Sequence, residues 1–208
     1  MNKGMAHPGF FYIDGSGTIR EKFFEENEID RYTPNNVMGK LFPELVEGVS
    51  QKVEAPHLRL SLAQSDRMVA PGNRVTLVAE VKLPPGVHVY APQVQGYKPI
   101  QLAITPSPEF APEPAVYPAP SVLYLAAIRE HVPVFEGEFR ITEDVTVARS
   151  PDFVRSLDSA KIIPIAGELK YQACDQKVCY PPTVVAVKWL LSVLPLDRQR
   201  SPEPIQHK

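Results

Sequence analysis

The chain has two cysteines, Cys174 and Cys179, and both lie in the segment YQACDQKVCYPP, from Tyr171 to Pro182. Strand-like runs precede and follow this segment, at Ile162 to Leu169 and at Val184 to Val193. The pattern predicts a β-hairpin with one thiol on each arm. Opposed residues of an antiparallel pair lie about 4.5 to 5.5 Å apart at Cα, a separation that a disulfide can bridge.

Such a disulfide would close a loop of about six residues and stabilise the fold by about 2 kcal/mol, against nearly 5 for a loop of about a hundred. The small structural gain and the surface turn, which ends in two prolines, favour a redox role, because a partner's sulfur could reach the pair. A structural disulfide and unpaired thiols remain alternatives. A metal site is not expected, since zinc needs two further ligands and no histidine pair has metal-ligand spacing: His7, His57, His88, His131, His207.

The cysteine segment resembles that of the amino-terminal periplasmic domain of the thiol:disulfide interchange protein DsbD family. Members of that family carry Tyr-Gln-x-Cys, a short insert and Cys-Tyr-Pro-Pro or a close variant. A second segment, LPPGVHVYAP from Leu83 to Pro92, is similar to the family's Pro-Gly-x-His/Tyr-x-Tyr strand. The resemblance covers roughly residues 55 to 195.

This resemblance implies an electron-carrier domain that works by thiol:disulfide exchange without a cofactor. Its partner would be a thioredoxin-fold protein or domain, joined transiently by a mixed disulfide. Cys179 matches the family's partner-bonding cysteine and Cys174 the resolving one. The insert has four residues here and five in some relatives, so the register of the two thiols is left open. Lys177, within the insert, could favour a thiolate, although solvent screens an exposed lysine.

Several neighbours of the pair follow from the same resemblance. His88 and Tyr90 share one face of their strand, where the family places aromatic side chains beside the cysteines. An imidazole or a phenol there could alter thiolate stability and shield the sulfur, while ordinary strand packing is the alternative. Tyr180 and Pro181 belong to the cysteine motif itself.

The resemblance implies a flap over the cysteines at about Ser121 to Ala127, after the proline-rich stretch Pro106 to Pro120. Tyr124 would be its aromatic residue. The family's flap often carries acidic residues, which this segment lacks, so carboxylate-assisted proton transfer from the flap is in doubt. A short strand or a buried loop anchor is the alternative for the residues around Tyr124.

Composition excludes several classes of protein. The 208 residues carry 22 basic and 24 acidic side chains with no long block of one sign, which indicates neither nucleic-acid binding nor a membrane surface. The 23 prolines favour strands joined by rigid loops over a helical bundle. The most apolar stretch, Thr183 to Leu196, is too short for a membrane span. No signal peptide is visible, whereas the resemblance implies a periplasmic or other extracytoplasmic location, with the signal in a longer precursor or the true start upstream of Met1.

Residues 1–48 are predicted to form a hairpin, from Gly9 to Asp14 and from Thr18 to Glu25, and a helix from Asn35 to Glu47. This arrangement resembles the last third of a thioredoxin-like or peroxiredoxin-like domain whose redox cysteines would lie upstream. A self-contained appendage is the alternative. Residues 49–56 are interpreted as a linker and 196–208 as a mobile tail.

Residues 57–195 contain about eight short strands with turn signals and no alternating helices. The overall expectation is a mainly β protein, an immunoglobulin-like β-sandwich with a short N-terminal hairpin-plus-helix appendage. Periodicity alone also allows a jelly roll, and the resemblance selects the immunoglobulin-like fold. Two other functions stay open: a non-catalytic interaction module with a structural disulfide, and an accessory domain of a peroxiredoxin-like protein.

Overall fold

The computed structural model describes residues 9–24, 31–42, 51–125 and 129–196. Within these ranges the chain forms the following strands and helices: β1 (Gly9–Ile13), β2 (Ile19–Phe24), β3 (Arg31–Tyr32), α1 (Pro34–Leu41), β4 (Gln51–Ala55), β5 (Leu58–Gln64), β6 (Met68–Val69), β7 (Asn73–Lys82), β8 (His88–Tyr90), β9 (Gln101–Ile104), β10 (Phe110–Pro112), β11 (Ser121–Leu125), β12 (Glu130–Glu136), β13 (Glu138–Val147), α2 (Pro151–Arg155), β14 (Lys161–Tyr171), β15 (Ala173–Cys174) and β16 (Thr183–Val193).

Two sheets form the sandwich. The first sheet has the strand order β10-β13-β7-β5-β4, with β3 added parallel to the start of β7. The second sheet has the order β6-β16-β14-β9. Buried and exposed residues alternate strictly along most of β14, as expected of a strand with one face on a core and one in solvent.

The core lies between the inner faces of these sheets. Trp189 of β16 is 1% exposed, and its Nε1 donates a hydrogen bond to the carbonyl oxygen of Ala63 at 2.8 Å, which joins the second sheet to the first. Leu62 and Leu77 of the first sheet are fully buried in the same cluster. Burial of each such aliphatic side chain contributes about 1.5 to 3 kcal/mol. The lone tryptophan therefore anchors the core, and its buried indole N–H has a hydrogen-bond acceptor.

A third sheet, β11-β12-β8-β15, contains one of the two cysteines and is called the cysteine sheet below. Side chains alternate between its faces. Val89 and Ala173 on one face join the sandwich core. His88, Tyr90 and Cys174 occupy the other face, which turns away from that core.

The architecture confirms the predicted fold class, a mainly β immunoglobulin-like sandwich preceded by a hairpin and a helix. The segment from Val134 to Val147 divides between two strands, β12 and β13, because Gly137 between them takes a φ of +65°, a conformation that favours glycine. Within the proline-rich stretch, Phe110–Pro112 forms β10 at the edge of the first sheet. The rest of that stretch is mainly irregular in structure, with isolated single-residue bridges.

The predicted linker at 49–56 needs correction. Residues Gln51–Ala55 form β4, which pairs with β5 along its whole length. A tight turn at Pro56 and His57 joins the two strands, and His57 there has a φ of +63°. The strand was missed because an edge strand whose side chains are exposed or at most half-buried carries little hydrophobic alternation.

Helix α1 of the N-terminal appendage packs on the first sheet. Helix α1 starts after Thr33, whose side-chain oxygen accepts a hydrogen bond from the backbone N–H of Asn36 at 2.9 Å. Asn36 Nδ2 donates to Thr76 Oγ1 at 2.8 Å, and Lys40 Nζ lies 2.6 Å from Asp144 Oδ2. These buried or partly buried contacts attach α1 to β7 and β13.

Helix α1 ends at Leu41 with Phe42 as its C-cap, so the predicted end at Glu47 needs correction. Residues 43–47 lie outside the described residues, as do 197–208 of the predicted tail. The hairpin β1–β2 and the helix α1 have the order that the sequence predicts. Their likeness to part of a thioredoxin-like domain stays a prediction.

Candidate functional site

The cysteine segment lies at the tip of the longest hairpin described. Strands β14 and β16 pair from Lys161 opposite Val193 to Tyr171 opposite Thr183. Beyond Tyr171 the chain leaves the second sheet, and Ala173–Cys174 pairs with β8 instead. The predicted hairpin is therefore present, but its tip joins a different sheet.

Cys174 and Cys179 are joined by a disulfide, with their Cα atoms 4.0 Å apart as an isolated antiparallel pair. The two sulfur-bearing residues differ sharply in exposure: Cys174 is 1% exposed, whereas Cys179 is exposed to solvent. Thiol:disulfide exchange proceeds by attack of a thiolate on one sulfur while the other leaves. The greater solvent exposure of Cys179 thus favours attack by a partner's thiolate at Cys179 Sγ, with Cys174 Sγ as the leaving sulfur.

Asp175 holds the turn between the cysteines. Its Oδ1 accepts hydrogen bonds from the backbone N–H groups of Lys177 at 2.7 Å and Val178 at 2.8 Å, and its Oδ2 accepts one from the Tyr180 hydroxyl at 2.7 Å. The Tyr180 hydroxyl, followed by the two backbone donors, lowers the pKa of Asp175 to about 2. The carboxylate is therefore ionised at neutral pH, and it fixes the turn that presents Cys179.

The turn between β4 and β5 supports the same segment from the side. The His57 ring stacks on the Tyr180 ring, with centroids 3.7 Å apart. The Tyr171 hydroxyl donates a hydrogen bond to the carbonyl oxygen of Pro56 at 2.6 Å. Pro181, which follows Tyr180, is exposed beside this contact. Tyr180 is consequently held between His57 and Asp175.

Tyr90 contacts the disulfide directly. Its Oη lies 3.8 Å from Cys174 Sγ and 3.6 Å from Cys179 Sγ, and the residue is 2% exposed. Burial raises the pKa of Tyr90, so the phenol stays protonated at neutral pH and can donate to sulfur. The Tyr97 ring stacks on it at 4.5 Å, and Tyr97 Oη donates to Glu130 Oε2 at 2.8 Å.

His88 lies directly opposite Cys174 in the β8–β15 pair and opposite Glu136 in the β8–β12 pair. It is 3% exposed, and its ring makes an edge contact with Tyr90 at 5.6 Å between centroids. Within the described part of the chain, its Nε2 has no hydrogen-bond partner. Burial lowers the pKa of His88, and the charges of Glu136 and Asp175 oppose that effect.

The predicted flap segment is β11, the edge strand of the cysteine sheet, as far as Leu125, and residues 126 and 127 lie outside the described residues. Leu123 and Leu125 pack against the cluster that contains Tyr90 and Cys174. Tyr124 points to the opposite face, where it is 52% exposed and lies against His131 at 4.9 Å. The expectation that Tyr124 neighbours the cysteines needs correction, because alternation along the strand turns its side chain away.

The family model of the N-terminal domain of thiol:disulfide interchange protein DsbD matches residues 60–190. The chain belongs to this family. The matched range of this DsbD N-terminal-like domain begins in β5 and ends in β16, so it includes both cysteines, His88 and Tyr90. No curated protein matches the chain.

Two solved structures are similar to the DsbD N-terminal-like domain. The N-terminal periplasmic domain of ScsB from Proteus mirabilis has 18% sequence identity and a TM-score of 0.44, with 70% of this chain and 50% of that chain covered. The DsbD N-terminal domain of Neisseria meningitidis, in the reduced form, has 15% identity and a TM-score of 0.36, with 58% of this chain and 82% of that chain covered. The chain thus spans about half of the ScsB chain that it matches.

The described ranges of the DsbD N-terminal-like domain contain no group of three His, Cys, Asp or Glu side chains placed to bind a metal ion. In the same ranges no helix has the length and apolar character needed to cross a membrane. The chemistry that these residues support is that of the disulfide: one exposed sulfur, one buried sulfur, a phenol in contact with both and an imidazole opposite the buried one.

Sequence reasoning missed three residues of the DsbD N-terminal-like site. Asp175 could have been found, because an aspartate two and three residues before backbone donors is a common turn signal. Tyr97 and His57 lie in loops and carry no periodic signal. Only the folded chain brings their rings onto Tyr90 and Tyr180.

Proposed function

We propose that this domain passes reducing equivalents by thiol:disulfide exchange between the Cys174/Cys179 pair and a thioredoxin-fold partner. The observation that carries the proposal is the unequal exposure of the two bonded cysteines, with Cys179 at the surface and Cys174 buried. Membership of the DsbD N-terminal domain family supports the same chemistry. No cofactor is required, because the two sulfurs carry both electrons.

In the reducing direction, the Cys179 thiolate attacks one sulfur of a partner disulfide. The partner's other sulfur leaves as a thiolate, and a mixed disulfide forms. Cys174 then attacks Cys179 Sγ, which forms the internal disulfide and releases the partner's second sulfur. Two electrons pass to the partner, and exchange in the opposite sense with a reduced donor restores the thiols.

The neighbours of the pair divide into two groups in this proposal. Tyr90, stacked beneath Tyr97, protects the buried sulfur and donates its hydroxyl hydrogen to either sulfur as charge develops. Tyr180 and Pro181 flank the exposed sulfur and form the rim that a partner contacts. Asp175 keeps that rim in place through the turn.

We infer a periplasmic or other extracytoplasmic location, since disulfides persist in oxidising compartments and the family is that of a DsbD domain. For residues 1–48 we propose a relation to the C-terminal part of a thioredoxin-like domain. The hairpin β1–β2 and helix α1 occur in the expected order, which supports that relation.

Equilibration in defined thiol buffers tests the function, with Cys174→Ala and Cys179→Ala as paired variants. We expect a midpoint potential above about -300 mV, the range of exchangeable rather than structural disulfides. Cys174→Ala should accumulate a mixed disulfide with a thioredoxin-fold protein, because no second thiol remains to release it. Cys179→Ala should accumulate none at the buried Cys174. A potential far below -300 mV with no trapped species from either variant would instead indicate a structural bridge.

A further inference from the structure

The cysteine sheet places an imidazole opposite the buried cysteine. His88 and Cys174 are direct partners in the antiparallel β8–β15 pair, so both side chains lie on the same face of the sheet. Cβ atoms of such partners are about 4.5 to 5.5 Å apart. His88 is 3% exposed and Cys174 is 1% exposed, so solvent has little access to either.

A buried Cys174 thiol faces an obstacle in the proposed cycle. It must lose its proton before it can attack Cys179, yet burial in apolar surroundings disfavours a thiolate. Water does not reach it freely, because Leu123 and Leu125 cover the same cluster. A proton acceptor within the cluster would remove the obstacle.

The other groups that face His88 and Cys174 are poorly suited to accept the proton. Tyr90, on the same strand as His88, is a phenol whose pKa is raised by burial, and it is protonated already. Asp175, in the turn after β15, accepts three hydrogen bonds, which lower its pKa to about 2. Glu136, on β12, is exposed to solvent. His88 alone in this group combines burial with an Nε2 that has no partner in the described chain.

We propose that His88 is the proton acceptor that converts the buried Cys174 thiol into the resolving nucleophile. The proposal rests on the exchange function above and adds a proton path to it. In the resolving step, the Cys174 S–H proton moves to His88, the Cys174 sulfur bonds to Cys179 Sγ, and the bond from Cys179 to the partner's sulfur breaks. The electron pair of that bond leaves with the partner's sulfur, and His88 later returns the proton to solvent.

The ionisation of His88 fits this role. Burial lowers its pKa, and the opposing charges of Glu136 and Asp175 do not reverse the shift. The imidazole is therefore mainly neutral near pH 7 and available to accept a proton. In the opposite direction of exchange, the protonated imidazole would return that proton to Cys174 as it leaves Cys179.

Reaction of the reduced full chain with dithiobis(nitrobenzoate), a chromogenic disulfide, separates attack by Cys179 from resolution by Cys174. Attack by Cys179 releases one coloured thiolate, and resolution by Cys174 releases a second. We compare the wild type with His88→Gln, and with His131→Gln as the matched control, since His131 is exposed on another strand of the same sheet. General-base assistance contributes about 100-fold or more, so we expect the second phase of His88→Gln to slow at least about 10-fold near pH 6.5.

The pH profile distinguishes proton transfer from packing. The wild-type second phase should follow an ionisation below about pH 7, and that of His88→Gln should move toward the pKa of an unassisted thiol, about 8.5 or higher. His88→Gln with the rate and profile of His131→Gln would overturn the proposal. If His88→Gln fails to fold, a wild-type second phase governed only by an ionisation near 8.5 would overturn it as well. Absence of the first phase would count against the exchange function, not against His88.

Discussion

Glu143 on β13 should make the stability of this domain depend on pH near neutrality. The residue is 5% exposed, and within the described chain its Oε2 has no hydrogen-bond partner. Burial raises the pKa of Glu143 from its ordinary value of 4.5 to about 7, although the backbone N–H of Ile104 donates to the carboxylate and opposes that change. The folded state therefore prefers the protonated carboxyl group.

The direction of the change in stability with pH follows from the raised pKa of Glu143 in the folded state. The full stability is present below pH 4.5, where the carboxyl is protonated in both states, and it falls as the pH rises through about 7. At about 1.4 kcal/mol for each pKa unit, the difference between 4.5 and 7 corresponds to about 3 kcal/mol lost by pH 8. Glu143→Gln keeps the shape and an acceptor for Ile104 without the charge. It should stabilise the domain by up to about 3 kcal/mol near pH 8 and change little near pH 4.5.

Urea denaturation of the disulfide-bonded protein between about pH 4.5 and pH 8 measures this difference. Glu138→Gln is the matched control, because Glu138 is on the same strand but exposed, where it forms a surface ion pair with Lys82 at 3.3 Å. Its effect should be small at every pH. An equal free-energy difference between wild type and Glu143→Gln across the range would refute the assignment of a buried, destabilising charge.

Two further predictions concern the cysteine turn. Tyr97→Ala removes the ring stacked on Tyr90, so dithiothreitol should reduce the disulfide several-fold faster. Tyr124→Ala, on the outward face, should leave the reduction rate unchanged. Stopped-flow kinetics of reduction compare the two variants, and equal rates would contradict the role of Tyr97 in covering the disulfide. Asp175→Ala deletes three hydrogen bonds to the carboxylate, including that from Tyr180, and should lower the melting temperature at pH 7. Because the pKa of Asp175 is lowered to about 2, wild type and variant should converge as the pH falls through that value, and a constant gap would mean that the carboxylate charge is not involved.

The local sequence pattern was sufficient to predict the long hairpin of β14 and β16. Alternation of Ile163, Ile165 and Leu169 on one strand and of Trp189 and Leu191 on the other fixes which side chains face the core. The cysteine spacing likewise places both thiols at its tip. These features depend on residues close together in sequence, so periodicity and turn chemistry describe them well.

The hydrophobic pattern of the sequence could not predict which distant strands pair with each other. Periodicity around Cys174 does not indicate that it pairs with β8 and meets the hydroxyl of Tyr90, 84 residues earlier; only the family resemblance placed Tyr90 beside the cysteines. The difference in solvent exposure between the buried Cys174 and the exposed Cys179 depends on that pairing. For Tyr124, alternation shows that it differs in face from Leu123 and Leu125, but only the register with β12 shows which face meets the cysteines.

The disulfide closes a small ring, which limits how much of the fold would change during the proposed exchange cycle. The bonded residues are five positions apart in the sequence, whereas β14 and β16 pair along their whole length, from Lys161 opposite Val193 to Tyr171 opposite Thr183. Breaking the bridge thus loosens a short arc of backbone and leaves the sandwich its own source of stability. In the proposed exchange cycle, opening the disulfide would therefore change the stability of the fold by only about 2 kcal/mol, and the same sandwich would serve many turnovers.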